Sequence, residues 1–128
     1  MLGTQKIVAF VPTSDYQKAQ AFYEGVLGLR VVSKDPFALV MDAYGIMLRI
    51  TQVNGLKPQQ FTILGWEVDD IEKYVTGLSK RGVEFLRFGF PGQDERGVWA
   101  APGGAKVAWF KDPDGNTLSL SQHKPPSS

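Results

Sequence analysis

The chain contains no cysteine and a single histidine, His123. The first absence removes a disulfide framework, a thiolate metal centre and a cysteine nucleophile together. The second removes any site built on two histidines of one chain. An excess of one charge is also missing: 14 Lys and Arg stand against 13 Asp and Glu, a formal net charge of +1. A nucleic-acid-binding domain carries a basic excess, and a membrane-surface helix carries a basic face. Neither is present, so no nucleic acid and no membrane are expected as partners. No apolar run reaches the roughly 18 residues of a membrane span. The start, Met1 to Lys6, lacks the basic-then-apolar order of a signal peptide. A cytoplasmic protein is expected.

What remains is globular composition: 128 residues, 43% hydrophobic and 21% charged. That is the length of one domain, expected over 1–128, and it is long enough to bury a core without a disulfide or metal staple. The end of the chain, Lys124 to Ser128, reads as a disordered tail.

Apolar periodicity gives the elements. Ile7–Val11 reads as a buried strand. Ser14 with Gln17 makes a capping box, and Ala19, Phe22, Tyr23, Val26 and Leu27 follow at helical spacing. The helix is expected over Asp15–Leu27, ended by Gly28. Leu29–Val32, Phe37–Met41 and Ile46–Val53 read as three further strands. The same order then recurs. Phe61–Val68 is a strand, and Asp69 with Glu72 is a second capping box. Ile71, Tyr74, Val75 and Leu78 form the stripe of a helix over Asp70–Arg81, and Gly82 matches Gly28. Val83–Phe88, Ala105–Phe110 and Thr117–Gln122 follow as strands. The helix starts are 55 residues apart, and the hairpins Asp42–Gly45 and Asp112–Gly115 are 70 apart. The difference lies in Gly89–Gly104, which holds five Gly and two Pro and reads as an inserted loop. Internal repetition therefore organises the chain: module one spans about 5–53 and module two about 61–122, with Asn54–Gln60 as linker.

Tandem strand-helix-three-strand modules are joined here by particular motifs. These are Ala21-Phe22-Tyr23, Val26-Leu27-Gly28-Leu29, Trp66-Glu67-Val68-Asp69-Asp70 and Asp112-Pro113-Asp114-Gly115-Asn116. On these residues the chain resembles the vicinal oxygen chelate superfamily of glyoxalases, bleomycin-resistance proteins, fosfomycin-resistance enzymes and extradiol dioxygenases. The resemblance covers about residues 5–122. It implies an α+β fold of two βαβββ modules whose curved mixed sheets form a cup. It also implies a metal held by one side chain from each of four strands. In this chain those positions are Val8, Arg49, Ile63 and Ser119. Val and Ile have no donor atom, Arg is a fixed cation, and one Ser is a poor ligand. Gln5 falls on the opposite face of its strand, and His123 lies four residues beyond Ser119, about 13 Å along it. No metal and no other cofactor is expected. His123 reads as a solvent-exposed histidine.

Strand alternation assigns the wall of the implied cup. Val8, Phe10, Met47, Arg49, Thr51, Ile63, Gly65, Glu67, Thr117, Ser119 and Ser121 face inward. Leu48, Ile50, Leu64, Trp66, Val68, Leu118 and Leu120 face the helices. Trp109 and Phe110 alternate on one strand, so one faces each way, and parity alone does not choose. Arg49 needs a counter-charge: Glu67, or a ligand carboxylate or phosphate gripped by its planar fork, unless it reaches solvent. The loop Gly89–Gly104 brings Gly-rich mobility, and Phe88, Phe90 and Trp99 bring aromatic faces to it. Asp94 and Glu95 read as solvated charge, and no histidine stands near a serine for nucleophilic activation. The ligand-binding residues are expected to be Phe10, Met47, Arg49, Glu67, Trp99, Trp109 and Ser119, with no catalytic residue. The expected function is metal-free binding of an aromatic or anionic small molecule by a homodimer. The alternative is a glyoxalase-like lyase or dioxygenase-like oxidoreductase, working through a divalent metal or through an acid/base group such as Glu67. Cationic bleomycin as the ligand would call for an acidic chain, which this is not.

Overall fold

The computed structural model describes residues 1–123; the tail expected over 124–128 lies outside them. The chain divides into two units, one ending at Lys57 and one beginning at Pro58. That boundary falls within the linker read from the sequence. Each unit is a βαβββ module with its own four-stranded mixed sheet, giving an α+β fold without a closed barrel. Among the described residues no helix is long and apolar enough to cross a membrane.

In the first unit a 3-10 turn, Leu2–Thr4, precedes β1 (Val8–Thr13). Helix α1 (Tyr16–Gln20) runs directly into a π-helical segment, Ala21–Val26, so the expected helical span is filled. Its cap differs from expectation. Asp15, not Ser14, caps it, accepting from the backbone N–H groups of Gln17 at 2.9 Å and Lys18 at 3.3 Å. An ionised carboxylate meets the orphan donors of a first turn better than a hydroxyl does. The wider turns show in Leu27, whose N–H donates to Phe22 O five residues back at 2.9 Å. Strands β2 (Arg30–Asp35), β3 (Ala38–Ala43) and β4 (Ile46–Gln52) complete the sheet in the order β1-β4-β3-β2. Only the β1–β4 pair is parallel. Registered rows Val11–Ile50–Leu39 and Ala9–Leu48–Met41 turn one face toward the core. Ala19 and Tyr23 of the helical segment are buried with them. The alternate residues Val8, Phe10 and Met47 remain substantially exposed.

The second unit repeats this plan with one departure. It comprises β5 (Thr62–Glu67), α2 (Ile71–Lys80), β6 (Trp99–Ala100), β7 (Lys106–Lys111) and β8 (Thr117–Gln122). The sheet order is β5-β8-β7-β6. Asp70, not Asp69, caps α2 by accepting from Lys73 N–H at 3.3 Å. Ile71 and Val75 pack into the core with Ala108, Phe110, Leu118 and Leu120. Trp66 stacks on Phe110 at 6.5 Å, which places it on the helix-facing side as the alternation required.

The departure is the edge strand. Val83–Phe88 does not form the expected strand. Only Phe85 bridges to Phe110, and Leu86 N–H donates to Trp109 O at 2.8 Å. The chain then leaves the edge and returns as β6, where Trp99 pairs with Val107 and Ala100 with Lys106. The insertion therefore splits one edge strand into two short pieces along β7. β6 lies inside the stretch that the sequence presents as loop.

Candidate functional site

Pairing register fixes which face each residue occupies, because directly opposed residues point the same way. In the second unit one row reads Gly65–Ser119–Trp109, and the next reads Glu67–Ser121–Val107–Trp99. Trp109 and Trp99 thus share the face opposite the core, while Phe110 is fully buried on the other. This decides the alternative that the sequence left open.

On that face stands a cluster of four rings. Trp99 and Trp109 lie 6.0 Å apart at 33°. Phe88 lies 5.3 Å from Trp109, Phe90 lies 5.8 Å from Trp99, and the two Phe rings stack at 5.2 Å. Phe88 and Phe90 remain 47% and 43% exposed, so the cluster presents open aromatic surface. Sequence reading noted both Phe residues in the loop but left them out of the binding set, since nothing local shows which rings a loop brings over a sheet.

Beside Trp109, the Ser119 hydroxyl lies over Gly65, and Ser119 is buried at 9% exposure. Gly65 has no side chain, and a Cβ there would stand 2.8 Å from Ser119 Oγ and 3.8 Å from Thr62 Cγ2. Thr62 is thereby a neighbour of the Gly65–Ser119 row. A register shift between Thr62 and Leu64 puts Ile63 in an irregularity of β5. A bulge of this kind breaks strict alternation. Thr62 instead pairs with Thr117 on the open face, and Ile63 is half-buried.

The loop is held more firmly than its glycines suggest. Trp99 Nε1 donates to Pro91 O at 3.1 Å. Asp94, expected to be merely solvated, accepts from Arg96 N–H and Val98 N–H, both at 2.9 Å. Arg96 reaches α2, where it pairs with Glu72 Oε2 at 2.6 Å and bonds Glu72 O and Thr76 Oγ1. Gly97 is needed for close approach: a Cβ there would meet Leu86 O and Phe85 Cβ at 3.0 Å each.

The remaining expected residues fall in two places. In the first unit Phe10 and Arg49 are register partners, with Val40 across from Arg49; Met47 pairs with Val8 one row away. Phe10 is 60% exposed and Arg49 is half-buried. A cavity of about 250 Å³ opens near them, lined by Val8, Val32, Val40 and Met47 with Lys6 and Asp42 among its polar groups. Glu67 lies apart from the aromatic rings. It shares a row with Trp99 but sits three strands away, about 14 Å. It lines a groove with Val68, Asp69, Gln122 and His123. Contrary to the sequence reading, a serine does stand beside the histidine: Ser121 Oγ lies 3.1 Å from His123 Nε2. Both follow from alternation, being two residues apart on one face.

Donor chemistry tests the implied metal. Val8 and Ile63 offer no lone pair, Arg49 offers only a positive charge, and Ser119 offers one hydroxyl. Among the described residues no group of three or more His, Asp or Glu side chains stands where it could hold a metal ion. These residues do not fit a divalent cation.

Comparison with known proteins agrees with this geometry. Residues 6–120 match the family model of the Glyoxalase/Bleomycin resistance protein/Dioxygenase superfamily. No match was found among curated proteins. Three solved structures share the fold. Lactoylglutathione lyase from Agrobacterium tumefaciens is 18% identical with a TM-score of 0.73, over 98% of this chain and 99% of that one. The fosfomycin resistance protein FosX from Listeria monocytogenes is 14% identical with a TM-score of 0.73, over 94% of each chain. TnmS3, an antibiotic binding protein from Streptomyces sp. CB03234, is 25% identical with a TM-score of 0.71, over 97% of this chain and 99% of that one. With two βαβββ modules and a family match over nearly its whole length, this chain belongs to the Glyoxalase/Bleomycin resistance protein/Dioxygenase superfamily, as a member lacking the family's metal ligands.

Proposed function

We propose that the chain binds a small, planar aromatic molecule carrying an anionic group, without a metal ion and without turning it over. The observation that carries this reading is the open four-ring cluster of Phe88, Phe90, Trp99 and Trp109, with the Ser119 hydroxyl in the row of Trp109. Aromatic walls with a few polar groups suit such a ligand, and stacking against indole and phenyl faces supplies affinity beyond area burial. A separate anion-binding surface is proposed on the first sheet, where Arg49 beside Phe10 offers a planar fork for a carboxylate, sulfonate or phosphate. Ser119, in the row of Trp109, completes the proposed contact set on the second sheet, while Met47 and Glu67 are proposed contacts of two other surfaces, the first-sheet cavity and the groove beside His123. Structural kinship with an antibiotic binding protein at 25% identity supports binding as the role. The proposal includes a homodimer, to be checked by sedimentation, and a reducing compartment such as the cytoplasm, which the lack of cysteine suits.

The test is a thermal-shift series with planar aromatic acids and with Zn²⁺, Ni²⁺ and Mn²⁺. Ligand binding raises the melting temperature by mass action, so an aromatic acid is expected to raise it and the metals are not. Stoichiometric metal surviving dialysis, with a metal-dependent shift, would instead favour the lyase or oxygenase chemistry of the family. Arg49→Ala gives a second reading. Serving an anion, it loses a charge-assisted hydrogen bond when removed, and affinity falls by about 1.5–3 kcal/mol with little change in melting. Serving only a protein carboxylate, it lowers stability by about 3–5 kcal/mol and leaves affinity for the acid alone. A variant unchanged in both measurements places Arg49 outside the site.

A further inference from the structure

The excursion between the two halves of the split edge strand pairs with itself near its tip, where Asp94 N–H donates to Val98 O at 2.9 Å, Ala100 N–H donates to Gly92 O at 3.0 Å and Gln93 bridges to Trp99. At its base, Leu86 to Gly89, the Gln93 side chain takes the place of a neighbouring strand. Its Oε1 accepts from Phe88 N–H at 2.7 Å and from Gly89 N–H at 3.1 Å. Its Nε2 donates to Leu86 O and to Gly97 O, both at 3.0 Å. Both donors of the amide are used, and its oxygen accepts twice. One side chain therefore ties the departing limb, Leu86 to Gly89, to the returning limb at Gly97. The departing limb carries Phe88, and Phe90 follows it directly. The returning limb leads into Trp99. The Gln93 backbone also bridges to Trp99, and its N–H donates to Phe90 O at 3.0 Å.

We propose that Gln93 is a positioning residue for the ligand platform: its amide substitutes for the missing strand partner and holds Phe88 and Phe90 over Trp109 and Trp99. This rests on the reading of that aromatic face as the ligand site. The amide is required because its two ends meet opposite groups, the N–H donors of Phe88 and Gly89 at one end and the carbonyls of Leu86 and Gly97 at the other. A carboxylate meets only the first and repels the second. A protonated carboxyl meets both again, donating to one carbonyl. An aliphatic side chain meets neither.

That difference supplies the experiment, with Gln93→Glu, Gln93→Leu and wild type compared at about pH 7 and about pH 3, each more than a unit from the usual glutamate value of about 4.3. Two signals are read. The exciton couplet of the Trp99–Trp109 pair in circular dichroism reports the platform without any ligand. The affinity for naphthalene-2-sulfonate, a planar aromatic sulfonate, reports binding. At neutral pH both variants are expected to lose most of the couplet and to bind the probe roughly tenfold more weakly than wild type. In acid, Gln93→Glu is expected to regain both signals relative to wild type at the same pH, and Gln93→Leu is not. Should Gln93→Leu fail to fold, the acid recovery of Gln93→Glu decides alone. A couplet and affinity unchanged in Gln93→Glu at neutral pH, or loss without recovery in acid, overturns the assignment. If wild type ignores the probe while the couplet still follows the carboxyl's protonation, the ligand reading fails and the role of Gln93 in placing the rings stands.

Discussion

Phe110→Ala is expected to cost about 3–5 kcal/mol of stability, whereas Trp109→Ala, one residue away, is expected to cost about 1 kcal/mol. The Phe110 ring is fully buried, stacked on Trp66 at 6.5 Å and met edge-on by Phe85 at 5.5 Å. Removing it opens a cavity between α2 and the sheet that rigid strands cannot close. Trp109 points the other way, into the open cluster, where its neighbours Phe88 and Phe90 are already partly in water. Its loss is expected to show in binding instead, as a drop in affinity for a planar aromatic acid. Urea denaturation of the two variants, paired with titration of the acid, checks the contrast. Equal losses of stability would mean that the open face is structural rather than a platform.

Asp112→Ala is expected to destabilise the chain by about 3 kcal/mol, a large effect for one turn residue. The Asp112 carboxylate is 6% exposed. One oxygen accepts from Asp114 N–H and Asn116 N–H at 2.9 Å each, and the other accepts from Asn116 Nδ2 at 2.8 Å. Truncation takes a charged acceptor from all three donors, and Asn116 is itself buried. Each donor forfeits a bond to that acceptor, about 1 kcal/mol or more apiece. Asp112→Asn keeps one acceptor oxygen but turns an NH₂ toward the Asn116 amide, so roughly half the loss is expected. Hydrogen exchange at the β7–β8 hairpin locates the damage. Faster exchange confined to other strands would refute the turn as its source.

The aromatic platform was only partly legible in the chain. Alternation placed Phe10 and Arg49 on the open side of their strands, and register agrees, since regular pairing preserves period two. Alternation failed at Ile63, because one extra residue in β5 breaks the parity that counting assumes. It was silent on Trp109 against Phe110, since two adjacent aromatic residues satisfy either phase. Gln93 and Arg96 carried no signal. Their partners are carbonyls and N–H groups exposed by the bends of a loop, together with a helix elsewhere in the sequence. The glycines of that loop read as freedom to move, yet Gly97 serves to let two backbone limbs approach.

What the sequence determined by itself was the repeat. Two amphipathic helices, their terminating glycines and two acidic turns at fixed offsets define two βαβββ modules, because helix periodicity, strand alternation and turn chemistry are local and agree with one another. It also determined that the implied metal positions lack ligands, since valine, isoleucine and arginine there offer no lone pair to a cation in any conformation. Only the tertiary structure decided how the insertion is used. It splits the edge strand, pairs Trp99 with β7, and folds Phe88 and Phe90 back over the sheet. That outcome depends on pairing between residues distant in sequence and on side-chain bonds that exist only once the limbs are brought together. Hydrophobic pattern fixes which side of a strand is buried, but the open side has no burial to satisfy, so its arrangement is written in contacts rather than in periodicity.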